Sequence, residues 1–316
     1  MRKLSMKTNS KSQGNKSFTI KDLVTKASGR NIVLAVLDQC RGFVNEDTIE
    51  ILKRRITGEY FVDEWGFDEE LAELCRPIMS FIYKKYWRVT VSGIENIPSE
   101  GRALLVANHS GVLPYDGAMM AMAIQEEHPK PRILRCLHLS LFSAIPIVGI
   151  ALARVGQVQA LNENGEKLLN QDHLVGVFPE GLKGVGKPFK DRYRLARFGR
   201  GGFVNLALKA KSPIIPVSVI GAEEIHPLLY NVKPIAKLVG LPYVPVTPTF
   251  PWLGPLGLLP FPTKWYIHFD KPIPLQDIKY KPSEEPLLIS QITAQVRNTI
   301  QNNIYERLKQ RRSIFW

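Results

Sequence analysis

A histidine and an aspartate seven positions apart, His109 and Asp116, are the first side chains of this sequence whose types and spacing suit chemistry. They belong to residues 108–117, NHSGVLPYDG, which follow the apolar run ALLVA. An imidazole that bonds a carboxylate through one ring nitrogen can use the other nitrogen as a general base. Seven residues span ~10 Å in a helix and over ~20 Å when extended, so the pair meets only if Gly111 and Pro114 turn the chain back. Alternatively, Asp116 is an ordinary helix N-cap and His109 a hydrogen-bonding residue at a strand end.

A second turn that carries a carboxylate follows another apolar run, LVGV. It consists of Phe178, Pro179, Glu180 and Gly181. The glycine allows close approach of the backbone, and the turn offers an acid and free N–H groups beside the first motif. Such a turn is common in proteins, so it carries weight only in combination with His109.

The elements around these turns predict the fold. From Val89 onward, short apolar runs such as RALLVAN, RILRCLHL, IIPVSVIG and WYIHFD alternate with helical patterns such as GAMMAMAIQEEH and GGFVNLALKA. This alternation predicts an α/β fold, a mainly parallel central sheet flanked by helices, preceded by an N-terminal helical preface. In open sheets of this kind, sites form at the carboxyl ends of the strands.

Changes in composition divide the chain into four parts. Residues 1–17 are basic and polar and predict a disordered arm, and residues 18–88 predict a helical preface that associates with a membrane. Residues 89–273 form the domain that carries both turns, and residues 274–316 contain a closing helix over 284–312.

Within the domain over 89–273, residues 238–263 carry no charged side chain, but prolines at every third position from 242 to 251 exclude a continuous helix. We interpret them as an extended apolar segment that either dips into a bilayer interface or packs on the core.

Composition narrows the classes of function. Among 316 residues, 42 Lys and Arg outweigh 29 Asp and Glu, and the net charge of +13 favours polyanionic partners such as membranes, nucleic acid or phosphorylated substrates. The three cysteines lie far apart, which favours a reducing compartment and neither a disulfide framework nor a metal site. The sequence contains no GxSxG elbow and no GxxxxGK[ST] loop, so it lacks the motifs of a serine hydrolase of the α/β type and of a P-loop nucleotidase.

Four blocks together resemble the glycerolipid acyltransferases, the lysophosphatidic acid acyltransferase superfamily. The blocks are NHSGVLPYDG, Arg154 within GIALARVG, VFPEG and PIIPVSVIGAEE, and the resemblance covers roughly residues 89–273. The spacing of seven resembles the longer first block of the branch that contains monoacylglycerol and diacylglycerol acyltransferase-like proteins. The third block commonly continues with Thr and Arg, whereas Leu182 and Lys183 follow here. Because Lys is a point charge and lacks the fork of Arg, an acceptor without a phosphate is compatible with this site.

The resemblance implies a membrane-associated O-acyltransferase that moves a fatty acyl group from an acyl thioester to the hydroxyl of a lipid. His109 is then the general base and Asp116 its orienting partner, and backbone N–H groups near Gly111 or Gly181 are candidates to face the oxyanion. Acyl-CoA or acyl-carrier protein serves as co-substrate, without a further cofactor or a metal. The residues that the resemblance assigns to substrate binding are Arg154, Phe178, Pro179, Glu180, Gly181 and Lys183.

Several alternatives stay open at this point. The acceptor is a lysophospholipid, a mono- or diacylglycerol, or an isoprenoid alcohol or quinol. Arg154 either binds a headgroup or carrier phosphate or is a solvated strand end, and Glu180 either positions the acceptor or braces its loop.

The alternative function is a non-catalytic lipid- or nucleic-acid-binding basic protein. Aromatic residues cluster in KKYW and the proline-rich segment, which favours membrane lipids over nucleic acid as partners and a peripheral or monotopic location at the cytoplasmic face. The oligomeric state is not predicted.

Overall fold

The computed structural model describes residues 29–39, 45–113, 115–143, 147–232, 234, 236, 243–275, 277–278 and 284–316. The chain divides into two compact units, Met1–Phe61 and Val62–Trp316. The predicted arm over 1–17 and residues 238–242 of the apolar segment lie outside the described residues, and so does the start of the preface, up to residue 28. The predicted boundaries at 88/89 and 273/274 stay predictions.

The first unit contains two helices, α1 (Gly29–Gln39) and α2 (Glu46–Thr57). Asn45 caps α2 by accepting a hydrogen bond from the backbone N–H of Asp47 at 2.8 Å. The helix ends at Gly58, whose φ of +82° suits a residue without a side chain. The preface is therefore helical in this part, as its sequence predicts.

The second unit is built on a seven-stranded sheet with the order β1-β9-β6-β2-β5-β3-β4. All neighbours run parallel except β6 and β9. The prediction of a mainly parallel α/β fold is confirmed. The strands, including the separate hairpin β7–β8, are β1 (Thr90–Ser92), β2 (Ala103–Ala107), β3 (Leu134–His138), β4 (Val158–Gln159), β5 (Leu174–Val177), β6 (Ile214–Ile220), β7 (Tyr230–Asn231), β8 (Pro245–Val246) and β9 (Tyr266–Phe269).

Helices cover both faces of the sheet. The helices of this unit, among the described residues, are α3 (Glu69–Phe81), which continues as a π-helical turn over Ile82–Tyr86, α4 (Asp116–Glu127), α5 (Ser140–Ser143), α6 (Val148–Arg154), α7 (Asn162–Asn170), α8 (Leu182–Val185), α9 (Gly202–Lys209) and α10 (Glu285–Gln310). Short 3₁₀ turns lie at Ile94–Asn96, Phe189–Asp191, Ala222–Glu224 and Gly254–Leu258. The closing helix predicted over 284–312 is thus present as α10.

Strand β2 shows how the two faces are separated. Leu104 and Val106 belong to one buried cluster with side chains of α7, α9 and α10, whereas Leu105 and Ala107 belong to another with side chains of α4. Alternate residues of a strand point to opposite faces, so a strand covered on both sides must be apolar throughout. All five residues of β2 are buried.

The parallel register brings the ends of β2 and β5 together, next to the middle of β6. Val106 of β2 lies opposite Val177 of β5 on one side and Pro216 of β6 on the other. The turns that leave β2 and β5 therefore emerge side by side at one edge of the sheet. This alignment is the structural reason why the histidine and carboxylate turns become neighbours.

Two predictions about local structure need correction. Arg154 ends helix α6, so its interpretation as a solvated strand end is wrong. The proline-rich segment is not extended throughout its described part, because it forms the short strand β8 and then a 3₁₀ turn over Gly254–Leu258. Its prolines do prevent a continuous helix, and Trp252 and Leu256 are largely exposed. Among the described residues, no helix combines the length and the apolarity needed to cross a membrane.

Candidate active site

The structure brings His109 and Asp116 into direct contact. Nδ1 of His109 lies 2.7 Å from Oδ2 of Asp116. The fully buried carboxylate also accepts hydrogen bonds from the backbone N–H groups of Ser110 and Gly117, each at 3.0 Å. Asp116 is the first residue of α4, and Tyr115 occupies the N-cap position, so the interpretation of Asp116 as an ordinary N-cap is wrong. These contacts fix the carboxylate where it orients the imidazole.

A glycine permits the turn that closes this contact. Gly111 has a φ of +86°, and a Cβ there would lie 3.1 Å from the carbonyl oxygens of Ala222 and Leu113. A side chain would therefore face both backbone strain and crowding. Pro114, the other predicted turn residue, lies outside the described residues.

The His109 ring forms part of the wall of an apolar cavity. Phe178 stacks on it with ring centroids 4.4 Å apart and an angle of 26° between the planes. With Nδ1 held by Asp116, Nε2 is the ring nitrogen available to a substrate. The cavity has a volume of about 550 Å³, within the ~300–1,000 Å³ common for ligand sites. Its apolar walls include Leu137, Phe142, Leu152, Val185, Phe203 and Leu206.

The residues assigned to substrate binding divide into two groups. Phe178, Pro179 and Gly181 line the cavity. The described residues that line the cavity do not include Arg154, Glu180 or Lys183. Lys183 is exposed, and the carbonyl oxygen of Arg154 accepts a hydrogen bond from the N–H of Asp68 at 3.1 Å.

Glu180 acts as a brace within the protein. One carboxylate oxygen accepts the backbone N–H of His109 at 3.1 Å, and the other accepts that of Ala196 at 2.6 Å. Its side chain is fully buried. Of the two roles open from the sequence, the geometry therefore corresponds to bracing the loop. Through this contact the second turn holds the backbone of the histidine itself.

A buried lysine connects Glu180 to a second carboxylate. Nζ of Lys187 lies 3.5 Å from Glu180 and 3.1 Å from Glu223. The other oxygen of Glu223 accepts the N–H of Tyr193 at 2.7 Å. Burial raises the pKa of Glu223 to about 7, while the nearby Lys187 ammonium opposes the rise. These three ionisable side chains support the loop through their mutual contacts.

Two residues of the site had no role predicted from the sequence. The Asn108 side chain donates to the carbonyl of Val219 at 2.9 Å and accepts its N–H at 2.7 Å, which continues the pairing of β2 and β6 beyond the end of β2. Gly184 lies so close to His109 that a Cβ would be 2.7 Å from the histidine's carbonyl oxygen. The sequence shows that Asn108 directly follows an apolar run, but it does not show that Val219 is the partner of Asn108.

One of the two oxyanion candidates is engaged elsewhere. The N–H of Gly181 donates to the carbonyl of Phe178 at 3.0 Å and closes the turn. The N–H of Gly181 itself is therefore not free to meet a substrate oxygen, and an oxyanion contact from other N–H groups near Gly111 or Gly181 stays a prediction.

Comparison with known proteins gives relatives of most of the chain and of its central part. The family model Acyltransferase matches residues 88–220. An uncharacterized protein of Mycobacterium tuberculosis is 49% identical over 266 residues, which cover 84% of this chain and 74% of the relative. The bovine "DGAT1/2-independent enzyme synthesizing storage lipids" is 29% identical over 127 residues, 40% of this chain and 37% of the relative. The crystal structure of the 1-acyl-sn-glycerophosphate (LPA) acyltransferase PlsC from Thermotoga maritima aligns with a TM-score of 0.48 and 17% identity, covering 78% and 82% of the two chains.

Gly184→Ala tests the close approach of α8 to the histidine. Because the new methyl group would collide with the backbone of His109, we expect the free energy of unfolding to fall by about 1–3 kcal/mol in urea denaturation. Gly202→Ala is the matched control, since a Cβ at this helical position meets no atom within 4 Å. The control should leave stability unchanged or raised. Equal stability of Gly184→Ala and the wild type would contradict the geometry.

Glu223→Gln tests the buried charge cluster. A folded-state pKa of about 7 exceeds the unfolded value of ~4.3, so the native carboxyl retains a proton that the unfolded one loses. This contribution to stability is present below the unfolded pKa and is lost as pH rises through 7. Between about pH 5 and about pH 8, the wild type should lose on the order of 1–3 kcal/mol of unfolding free energy relative to the variant. Urea denaturation at both pH values measures this difference, and parallel pH profiles would refute it.

Proposed function

We propose that this chain, a member of the glycerolipid acyltransferase superfamily whose residues 88–220 match the Acyltransferase family model, moves a fatty acyl group from an acyl thioester to the hydroxyl of a lipid acceptor. The observation that carries the proposal is the 2.7 Å contact between His109 and Asp116 at the wall of an apolar cavity. The contact supplies an oriented base, and the cavity supplies space for a hydrocarbon chain.

The reaction needs one proton acceptor and no covalent acyl-enzyme. Nε2 of His109 takes the proton from the acceptor hydroxyl while the hydroxyl oxygen bonds to the thioester carbonyl carbon. When the tetrahedral intermediate collapses, the C–S bond breaks and the imidazolium returns the proton to the thiolate that leaves. Asp116 holds the ring in place and stabilises the imidazolium in between. The products are an ester and a free thiol.

The cavity supports a long-chain substrate. Its walls next to the histidine are aliphatic and aromatic, and Phe178 lies flat against the imidazole, so a chain can pack beside the reacting carbonyl. We propose acyl-CoA or acyl-carrier protein as the donor. The acceptor is a lysophospholipid, a mono- or diacylglycerol, or an isoprenoid alcohol or quinol. The bovine relative is named as an enzyme that synthesizes storage lipids, which supports the neutral glycerolipids among these acceptors.

We also propose that the enzyme works at a membrane surface as a peripheral or monotopic protein on the cytoplasmic face. A net charge of +13 attracts anionic headgroups. Lipid acceptors reside in the bilayer, so association with it would bring the cavity to its substrate.

An acyl-transfer assay tests the assignment of His109. The purified protein is incubated with radiolabelled acyl-CoA or acyl-carrier protein and a panel of lipid alcohols. Because a general base contributes ~10²–10⁴ in rate, His109→Ala and Asp116→Asn should each lower kcat by about that range while the fold persists. His268→Ala is the control, since this histidine lies on β9 and bonds Ser92 instead of a carboxylate. Full activity of folded His109→Ala would overturn the mechanism, and the absence of transfer to every acceptor by the wild type would overturn the function.

A further inference from the structure

The cavity beside His109 has a mouth made of aliphatic side chains. Leu139, Val148, Val155 and Leu182 line the cavity and are also 38% to 45% exposed. Residues that meet both conditions mark the place where the cavity opens to solvent. A lipid that reaches His109 through this opening can pack against these aliphatic side chains.

Helix α6 and Ile147, the residue directly before it, add exposed apolar side chains next to the mouth. Ile147 and Ile150 are 79% and 64% exposed, and neither lines the cavity. Together with the four mouth residues they form what we call the mouth patch, Leu139, Ile147, Val148, Ile150, Val155 and Leu182. Each aliphatic side chain of this kind gains free energy when it leaves water. Clusters of exposed apolar residues next to a binding cavity mark interaction sites.

Basic residues lie next to the lining of the cavity. Lys183 follows Leu182, and Arg200 lies between Gly199 and Gly201, which both line the cavity. Lys183 and Arg200 are exposed. Aliphatic residues and nearby cations are the combination found on surfaces that lie in a bilayer interface with anionic lipids.

We propose that the mouth patch docks on a lipid bilayer that contains anionic headgroups, so that acyl chains pass from the bilayer into the cavity without crossing water. The identity of the passing chain rests on the proposed function, whereas the docking itself does not. A bilayer fits better than a protein partner, because a protein seated on the mouth would close the path to His109 while fluid lipid leaves it open.

Vesicle binding of a double variant tests the proposal. Ile147→Asn/Ile150→Asn removes the two outermost aliphatic groups and leaves the cavity lining intact. Co-sedimentation with vesicles of phosphatidylcholine and phosphatidylglycerol should show binding weakened by about tenfold or more. The matched control is Leu287→Asn/Tyr305→Asn, which changes two exposed apolar residues, 64% and 45%, on helix α10. The control should bind within about twofold of the wild type.

Activity provides a second readout that separates the two proposals. Transfer to an acceptor embedded in vesicles should fall with binding, whereas transfer to a short-chain acceptor dispersed as monomers should stay within about twofold. Unchanged vesicle binding by the mouth variant, or an equal loss in the control, would overturn the docking surface. Tight binding of an acyl-carrier protein that the mouth variant loses, without a loss of vesicle binding, would also overturn it. If the wild type transfers no acyl group at all, the proposed function fails, and the vesicle measurement still decides the docking.

Discussion

The hydrogen bond between His109 and Asp116 is the constraint on which the site depends. The seven-residue separation fits neither a helix nor a strand, so the intervening chain must form a turn that brings the two side chains together. Gly111 permits that turn, and Asp116 is further held by the backbone N–H groups of Ser110 and Gly117. A ring held in this way loses little further conformational freedom when a substrate arrives.

The surrounding structure stabilises the backbone that carries this pair. Asn108 joins the end of β2 to β6, and Glu180 joins the N–H of His109 to the turn after β5. Lys187 and Glu223 complete a buried group of three ionisable side chains, whose burial costs desolvation energy and is offset because their polar atoms find partners. The strand ends therefore supply the two turns and also hold the backbone of His109 in a fixed position.

Sequence patterns predicted much of this arrangement, because the strands and turns are encoded by residues that are close together in the sequence. Buried parallel strands read as continuous apolar runs, so β2, β5 and β6 were recognisable, and the residues after them had to share an edge. The direction of a buried side chain depends on partners far away in sequence, and so the bracing of His109 by Glu180 could not be distinguished from substrate contact. Gly184 lacks any periodic signal, because its need to be small arises only from its approach to His109. The helix α6 was missed because a seven-residue apolar run fits a strand equally well.

The tautomer of His109 tests the central claim most directly. If Asp116 accepts a hydrogen bond from Nδ1, the neutral ring carries its proton there and leaves Nε2 as the base. Nitrogen NMR of the protein labelled with ¹⁵N-histidine, with His109→Ala used to assign the signal, distinguishes the two tautomers. We expect the Nδ1–H form in the wild type and a mixture of tautomers in Asp116→Asn. A wild-type ring with its proton on Nε2 would contradict the account.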